Sequence, residues 1–326
     1  MGSKKADKPT SLEEMILQDI EPDKPLPTDS LPASEPGSKE KESDPYQRLG
    51  LAAEDMVLLQ DAGIDPDDAA AYLRAGIGAS AMLRLFDTGV YPSDALSYHK
   101  AGITALDDVL LLFESGISPR DADVYLRAGI VSPEVMAELY ARDVYPADAL
   151  NYAKSGIASQ AMMFLYENGI YPDDANGYLR AGITSPNVMA ALYAKDVYPR
   201  DAIQYRNVGV PSPDDMMLLY QGKIFPGDAD GYLSAGISSP EVMATLYDSD
   251  VYPRDAIQYR NVGVSSPDDM VLLYQEDIQP GVADGYLRAG ISVPKDMVTL
   301  WNADIDPARA VRYRQSGVTV QDLIKK

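Results

Sequence analysis

The chain has 326 residues, 46% of them hydrophobic, and its 28 Lys and Arg against 50 Asp and Glu give a net charge of −22. The absence of cysteine excludes disulfides, thiolate metal sites and cysteine nucleophiles, and leads us to expect a reducing compartment, the cytoplasm. The negative charge disfavours nucleic acid as a partner because it repels phosphate groups. The sequence contains no run of 18 apolar residues, so it predicts no membrane span.

Residues 1–45 form the first predicted segment, an acidic and proline-rich tail. They hold seven prolines and few apolar residues, so they bury too little surface to offset the entropy of ordering, and we expect them to be disordered. Within this tail, Ser11 and Glu14 have the spacing of a capping box ahead of an apolar stretch. Residues 11–21 therefore form either a short helix that docks on something or a solvated stretch with a few hydrophobic side chains.

From residue 46 onward the chain is built from repeats. Residues 173–226 and 227–280 are identical at 41 of 54 positions. The motif Pro-x-Asp-Ala-x-x-Tyr-x-x-x-Gly-[Ile/Val], with a few departures, recurs every 26 or 27 residues, and a fixed period of this length indicates a stacked repeat architecture. Its ten copies begin at Pro66, Pro92, Pro119, Pro146, Pro172, Pro199, Pro226, Pro253, Pro280 and Pro307. The pattern predicts an N-terminal cap at 46–65, repeats at 66–306 and a C-terminal cap at 307–326.

Each unit contains two helical signals. In the first, proline stands at N1, aspartate follows at N3, and a glycine supplies the left-handed residue that ends the helix. The second signal is clearest at residues 132–140, where serine occupies the N-cap position and proline the N1 position of a helix. Apolar residues follow at positions i, i+3 and i+4. Helices of about ten residues are marginal alone and must pack on neighbours. The predicted fold is therefore all-α, an α-solenoid of about ten two-helix repeats. Because neighbouring units alternate in kind, its true period is 54 residues.

The arrangement over residues 46–326 resembles helix–turn–helix solenoids such as tetratricopeptide and HEAT repeats. The 27-residue period is shorter than either, and the tetratricopeptide Trp-x-x-Leu-Gly signature is absent. The resemblance is to a class of architecture and implies binding of a protein or peptide partner, without naming a particular ligand.

Two residue rows recur at fixed helical positions. We expect the tyrosines of the first helices to form the stacked core, with the hydroxyl reaching the rim, rather than to stack on bases. The core tyrosines are Tyr72, Tyr98, Tyr125, Tyr152, Tyr178, Tyr205, Tyr232, Tyr259, Tyr286 and Tyr313. We expect the aspartates at N3 to cap helices rather than bind cations, because copies about 10 Å apart cannot supply the clustered oxygens that Ca²⁺ needs.

Two further sets are candidates for partner binding. Aromatic residues precede the prolines of six units and either staple the start of the helix or bind a partner. They are Tyr91, Tyr145, Tyr171, Tyr198, Phe225 and Tyr252. Three glycines, Gly177, Gly231 and Gly285, stand in mid-helix at a cost of about 1 kcal/mol each relative to alanine. They allow either the close approach of a neighbouring helix or a shallow groove for a partner.

The sequence offers little for catalysis. His99 is the only histidine and Trp301 the only tryptophan, and each stands at a helical position that other residues fill in other units. We expect no enzyme and no cofactor or metal. The leading hypothesis is a scaffold that presents an acidic surface to a protein or peptide, which is basic or extended. The alternatives are a structural spacer without a dedicated ligand, and an RNA adaptor that reads bases with Tyr and with the Arg or Lys two residues after it.

Overall fold

The computed structural model describes residues 44–319 and residue 322. The tail predicted at 1–45 and its short helix at 11–21 lie outside these residues, apart from Asp44 and Pro45. A short 3-10 helix at Gln47–Leu49 and twenty α-helices make up the described part, and no strand occurs there. The helices are α1 (Ala53–Asp61), α2 (Pro66–Arg74), α3 (Ala79–Thr88), α4 (Pro92–Lys100), α5 (Leu106–Glu114), α6 (Pro119–Arg127), α7 (Pro133–Ala141), α8 (Pro146–Lys154), α9 (Ser159–Glu167), α10 (Pro172–Arg180), α11 (Pro186–Tyr193), α12 (Pro199–Asn207), α13 (Pro213–Gln221), α14 (Pro226–Ser234), α15 (Pro240–Asp248), α16 (Pro253–Asn261), α17 (Pro267–Gln275), α18 (Pro280–Arg288), α19 (Pro294–Asn302) and α20 (Pro307–Gln315).

Helix starts and stops follow the predicted signals. Every even-numbered helix begins with proline at N1, where the missing N–H costs no hydrogen bond. Glycine ends these helices, as at Gly236 with φ 73°. Odd-numbered helices end at a glycine or at an aspartate such as Asp143, Asp196 or Asp250, whose φ values are 62°, 60° and 63°, except α13, which ends at Lys223 with φ 60°. Aspartate enters this left-handed region more readily than most residues.

The helices form two layers. Even-numbered helices pack on even-numbered neighbours and odd-numbered on odd-numbered, so each helix meets the helix two positions away along the chain. Within the described residues, extensive contacts join only helices that are adjacent or next but one, and none joins α1 to α20. The fold is therefore an open α-solenoid.

The core tyrosines hold successive units together. Nine of them are fully buried, and Tyr313 in the last unit is half-buried. The expectation that their hydroxyls reach the rim was wrong, because each buried hydroxyl donates a hydrogen bond to a backbone carbonyl 18 or 19 residues ahead. Tyr178 bonds Val197 and Tyr232 bonds Val251, each at 2.7 Å. Burial raises the pKa of Tyr98 to about 12. Tyr46 makes the same bond to Ile64 ahead of the first complete unit.

The 54-residue period appears as a special contact between even-numbered helices. The space beside Gly231 is filled by Pro253, since a Cβ added to the glycine would lie 2.6 Å from the proline Cβ. The same holds for Gly177 with Pro199 and for Gly285 with Pro307. In these pairs an arginine from the second helix also donates to a carbonyl at the C-terminus of the first. Arg206 bonds Arg180, Arg260 bonds Ala235, and Arg314 bonds Ala289.

Candidate functional site along the aromatic edge

Six exposed aromatic residues lie in the turns that join an odd-numbered helix to the next even-numbered helix. We call this row the aromatic edge. Its members and their exposed fractions are Tyr91 55%, Tyr145 44%, Tyr171 52%, Tyr198 43%, Phe225 49% and Tyr252 43%. Because like helices stack on like, these turns follow one another along one side of the array. The predicted binding aromatics therefore form one row.

Each edge ring packs on a second ring five residues before it. The pairs are Phe86–Tyr91, Tyr140–Tyr145, Tyr166–Tyr171, Tyr193–Tyr198, Tyr220–Phe225 and Tyr247–Tyr252. Their centroids lie 5.2 to 6.0 Å apart, and their planes are close to perpendicular. An edge-to-face pair of this kind contributes about 0.5–1.5 kcal/mol. It also holds the exposed ring in a defined orientation.

The edge aromatics occupy the N-cap position itself. A hydrophobic staple uses the residue before the N-cap, and here that residue is a buried Val or Ile such as Val197. The predicted stapling role is therefore not met in its usual form. Three of the four units without an edge aromatic have a side-chain cap instead, and the fourth, with Gln279 at the N-cap, has none. Asp65 accepts from Asp67 N–H at 3.0 Å, and Ser118 accepts from Asp121 N–H at 3.2 Å.

This difference in capping has an energetic consequence. A Ser or Asp N-cap contributes about 1 kcal/mol to a helix, and an aromatic side chain cannot replace that hydrogen bond. The ring pair offsets a loss of similar size. Stability alone therefore gives no clear advantage to an exposed aromatic at this position, which favours a role outside the fold.

In three turns the edge tyrosine is joined to the aspartate that ends the preceding helix. We call these the Tyr–Asp pairs. The tyrosine hydroxyl donates to the aspartate Oδ1 at 2.9 Å for Tyr145–Asp143, 3.2 Å for Tyr198–Asp196 and 3.1 Å for Tyr252–Asp250. The hydrogen bond to the carboxylate raises the pKa of each of these tyrosines. The pairs place an exposed aromatic ring beside a negative charge, an arrangement that suits a cation.

Inner rings connect neighbouring units of the edge. A Cβ placed on Gly169, which ends α9, would lie 3.7 Å from Cε1 of Tyr193 in the following unit. The rings of Phe113 and Tyr140 lie in the same way against Gly89 and Gly116, at 4.0 and 3.9 Å from the added Cβ. Inner rings therefore link the turns of neighbouring units, and the row of outer rings is interrupted at Ser118.

Aspartates in the first turn of the even-numbered helices border the aromatic edge. Asp228 accepts a hydrogen bond from Phe225 N–H at 3.3 Å, and Asp121 accepts one from the Ser118 hydroxyl at 2.7 Å, so both contribute to helix starts as predicted. Burial raises the pKa of Asp148 and of Asp174 above the usual range. Within the described residues no group of His, Cys, Asp and Glu is arranged to hold a metal ion.

The three mid-helix glycines are half-buried and lie against a neighbouring helix. Pro199, Pro253 and Pro307 fill the space beside them, and this accounts for the glycines without a partner. Whether they line a groove for a partner is untested and stays a prediction. We do not include these glycines in the aromatic edge.

Four members of the cationic row suggested for RNA reading, Arg74, Arg127, Lys154 and Arg288, make contacts within their own helices. Arg127 pairs with Asp123 at 3.1 Å and Arg288 with Asp284 at 2.7 Å. Arg74 donates to the carbonyl of Ala70 at 3.3 Å. These contacts do not favour a continuous positive stripe for a phosphate backbone.

The residues that break the repeat do not form a catalytic cluster. His99 is exposed, and it borders a cavity of about 120 Å³ that Ile77, Leu85 and Val109 also line. Trp301 is half-buried in the slot that tyrosine or phenylalanine fills in other odd-numbered helices. The cavity lies beside Gly76. Beside the equivalent glycines of later units, Gly182, Gly236 and Gly290, lie the guanidinium groups of Arg206, Arg260 and Arg314.

Comparison with known proteins adds no relative. No protein-family model, no curated protein and no solved structure matches the chain. None of the helices in the described part is long and apolar enough to cross a bilayer.

Proposed function

We propose that this protein is a non-enzymatic interaction scaffold that binds an extended, basic segment of a partner protein along its aromatic edge. The observation that carries the proposal is the row of six aromatic side chains, each 43–55% exposed and each held by a ring pair. Exposed aromatic residues are enriched in protein interfaces, and rings that are already oriented lose little entropy on binding.

Charge supports a basic partner. Residues 1–50 hold 7 Lys and Arg against 11 Asp and Glu, so −18 of the net −22 belongs to residues 51–326. The negative charge of the array would attract a basic segment, and the cationic side chains of that segment would bind at the three Tyr–Asp pairs. Binding is therefore expected to weaken as salt concentration rises.

A single variant with Tyr171, Tyr198, Phe225 and Tyr252 all changed to alanine tests the proposal. The full-length protein is titrated with arrayed basic and acidic peptides at low and at high salt. We expect the native chain to prefer basic peptides and the variant to lose at least about tenfold in affinity, which corresponds to 1.4 kcal/mol.

The control replaces exposed aliphatic residues elsewhere, Val131, Leu218 and Val293, by alanine. It is expected to bind as the native chain does. Equal binding by the native chain and the edge variant would reject the edge as the site and favour the spacer alternative. Binding of a single-stranded RNA that survives in the edge variant would favour the RNA adaptor.

A further inference from the structure

The aromatic edge repeats at a regular distance. Helices α8, α10, α12, α14 and α16 stack in series, and packed helices lie about 8–10 Å apart. Successive edge residues such as Tyr171, Tyr198 and Phe225 each precede one helix of this stack. The outer rings are therefore about 10 Å apart along the array.

This distance matches one conformation of an extended chain. A polyproline II helix has three residues per turn and rises 3.1 Å per residue, so the same face returns about every 9 Å. A β-strand returns the same face about every 6.7 Å, which does not fit the row. Polyproline II segments also bind aromatic-lined surfaces readily, because the segment is already ordered before binding.

The charges on the edge repeat at twice this distance. The Tyr–Asp pairs at Tyr145, Tyr198 and Tyr252 are separated by two helices of the even-numbered stack, about 20 Å. Six residues of a polyproline II helix span about 19 Å and return to the same face. A cation at every sixth residue would therefore meet every pair.

Building on the proposed function, we infer that the bound segment is a proline-rich polyproline II helix carrying Arg or Lys at every sixth residue. Its prolines pack against the intervening rings, Tyr171 and Phe225. Each cation lies on the face of an edge tyrosine beside the carboxylate of Asp143, Asp196 or Asp250. The chain's own residues 1–43 are also proline-rich, but their 6 Lys against 10 Asp and Glu give them the wrong charge for this site.

Labelled peptides test the inference by fluorescence anisotropy with the full-length protein at low salt. The first peptide has three copies of Pro-Pro-Arg-Pro-Pro-Pro. The second has the same composition with arginines four residues apart, which places them on different faces of a polyproline II helix. The third is an α-helical peptide with arginines 14 residues apart, which gives a similar spacing of about 21 Å.

Two protein variants show whether binding uses the edge. One combines Asp143→Asn, Asp196→Asn and Asp250→Asn, because asparagine keeps the left-handed conformation and the side-chain shape while removing the charge. The other combines Tyr198→Ala and Tyr252→Ala. Circular dichroism checks that both remain helical.

We expect the first peptide to bind at least about tenfold tighter than the second and to lose at least tenfold in both variants. Equal affinity for the first and second peptides would overturn the six-residue register. Tighter binding of the helical peptide, with the same dependence on the edge, would overturn the polyproline II conformation while the proposed function stood. If no basic peptide depends on the edge, both fail. A peptide of residues 1–43 that binds the edge more tightly than the first peptide would replace the partner by the chain's own tail.

Discussion

Replacing Gly231 by alanine tests the close approach of α14 and α16. The alanine Cβ would lie 2.6 Å from Cβ and 3.5 Å from Cγ of Pro253, and the proline ring cannot rotate away because it is closed onto the backbone. Carbon atoms in contact lie about 3.5–4.0 Å apart, so the helices must separate locally by about 1 Å. Such overpacking costs about 1–3 kcal/mol, while alanine favours the helix by about 1 kcal/mol over glycine. We expect a net loss of up to about 2 kcal/mol.

The matched control is Gly227→Ala in the same helix, where no atom lies within 4 Å of the added Cβ. Its stability is expected to stay the same or rise by less than about 1 kcal/mol. Urea unfolding is followed by circular dichroism and by the fluorescence of the single tryptophan, Trp301. The effect can be enlarged by changing all three mid-helix glycines together. If Gly231→Ala and Gly227→Ala shift the unfolding midpoint alike, the packing of α14 on α16 at this glycine is refuted.

Four further outcomes are expected. Tyr232→Phe removes the donor to the buried Val251 carbonyl and should lower the free energy of unfolding by about 1–3 kcal/mol, measured in urea; no loss would mean that the bond does not form. His99→Arg should place a donor at the Ala75 carbonyl beside the 120 Å³ cavity, as Arg260 does at Ala235 in a later unit. We expect it to raise the free energy of unfolding by up to about 1 kcal/mol in the same assay. Deletion of residues 227–280 should leave a soluble helical array, whereas loss of cooperative melting would show contacts beyond neighbouring units. Burial raises the pKa of the core tyrosines in the folded state. Their contribution to the free energy of unfolding is therefore fully present below the unfolded pKa of about 10 and falls above it, by up to about 1.4 kcal/mol per pH unit for each tyrosine. A melting temperature that is unchanged from pH 9 to 11 would contradict this.

The repeat itself made the fold predictable. Proline at N1 and glycine after the helix are local signals, and they mark the same ends in the sequence and in the structure, as at Pro226 and Gly236. The burial of the core tyrosines follows from their fixed helical position. The acceptor of each hydroxyl could not be predicted, because it lies in the turn that leads into the next unit and depends on how far two units are rotated against each other.

The residues of the candidate site could be predicted from the sequence, but the contacts between them could not. The edge aromatics are visible in the sequence because they precede the prolines. Their ring pairs join residues five apart across a turn, as in Tyr193–Tyr198, and the helical period alone does not indicate that contact. The same holds for Gly231 and Pro253, which are 22 residues apart and meet only because like helices stack on like.

One short turn contributes both to the packing between even-numbered helices and to the position of an edge tyrosine. In residues 196–199 the aspartate ends α11, Val197 is buried, Tyr198 is exposed and Pro199 packs against Gly177. Pro199 cannot move without opening the contact between α10 and α12, so the backbone that carries Tyr198 is held by the core. The same arrangement recurs at residues 250–253 against Gly231. An aromatic ring on such a turn is ordered in the free protein, which would lower the entropy cost of binding the proposed partner. Duplication of the 54-residue unit therefore copies a positioned Tyr–Asp pair together with the packing that positions it.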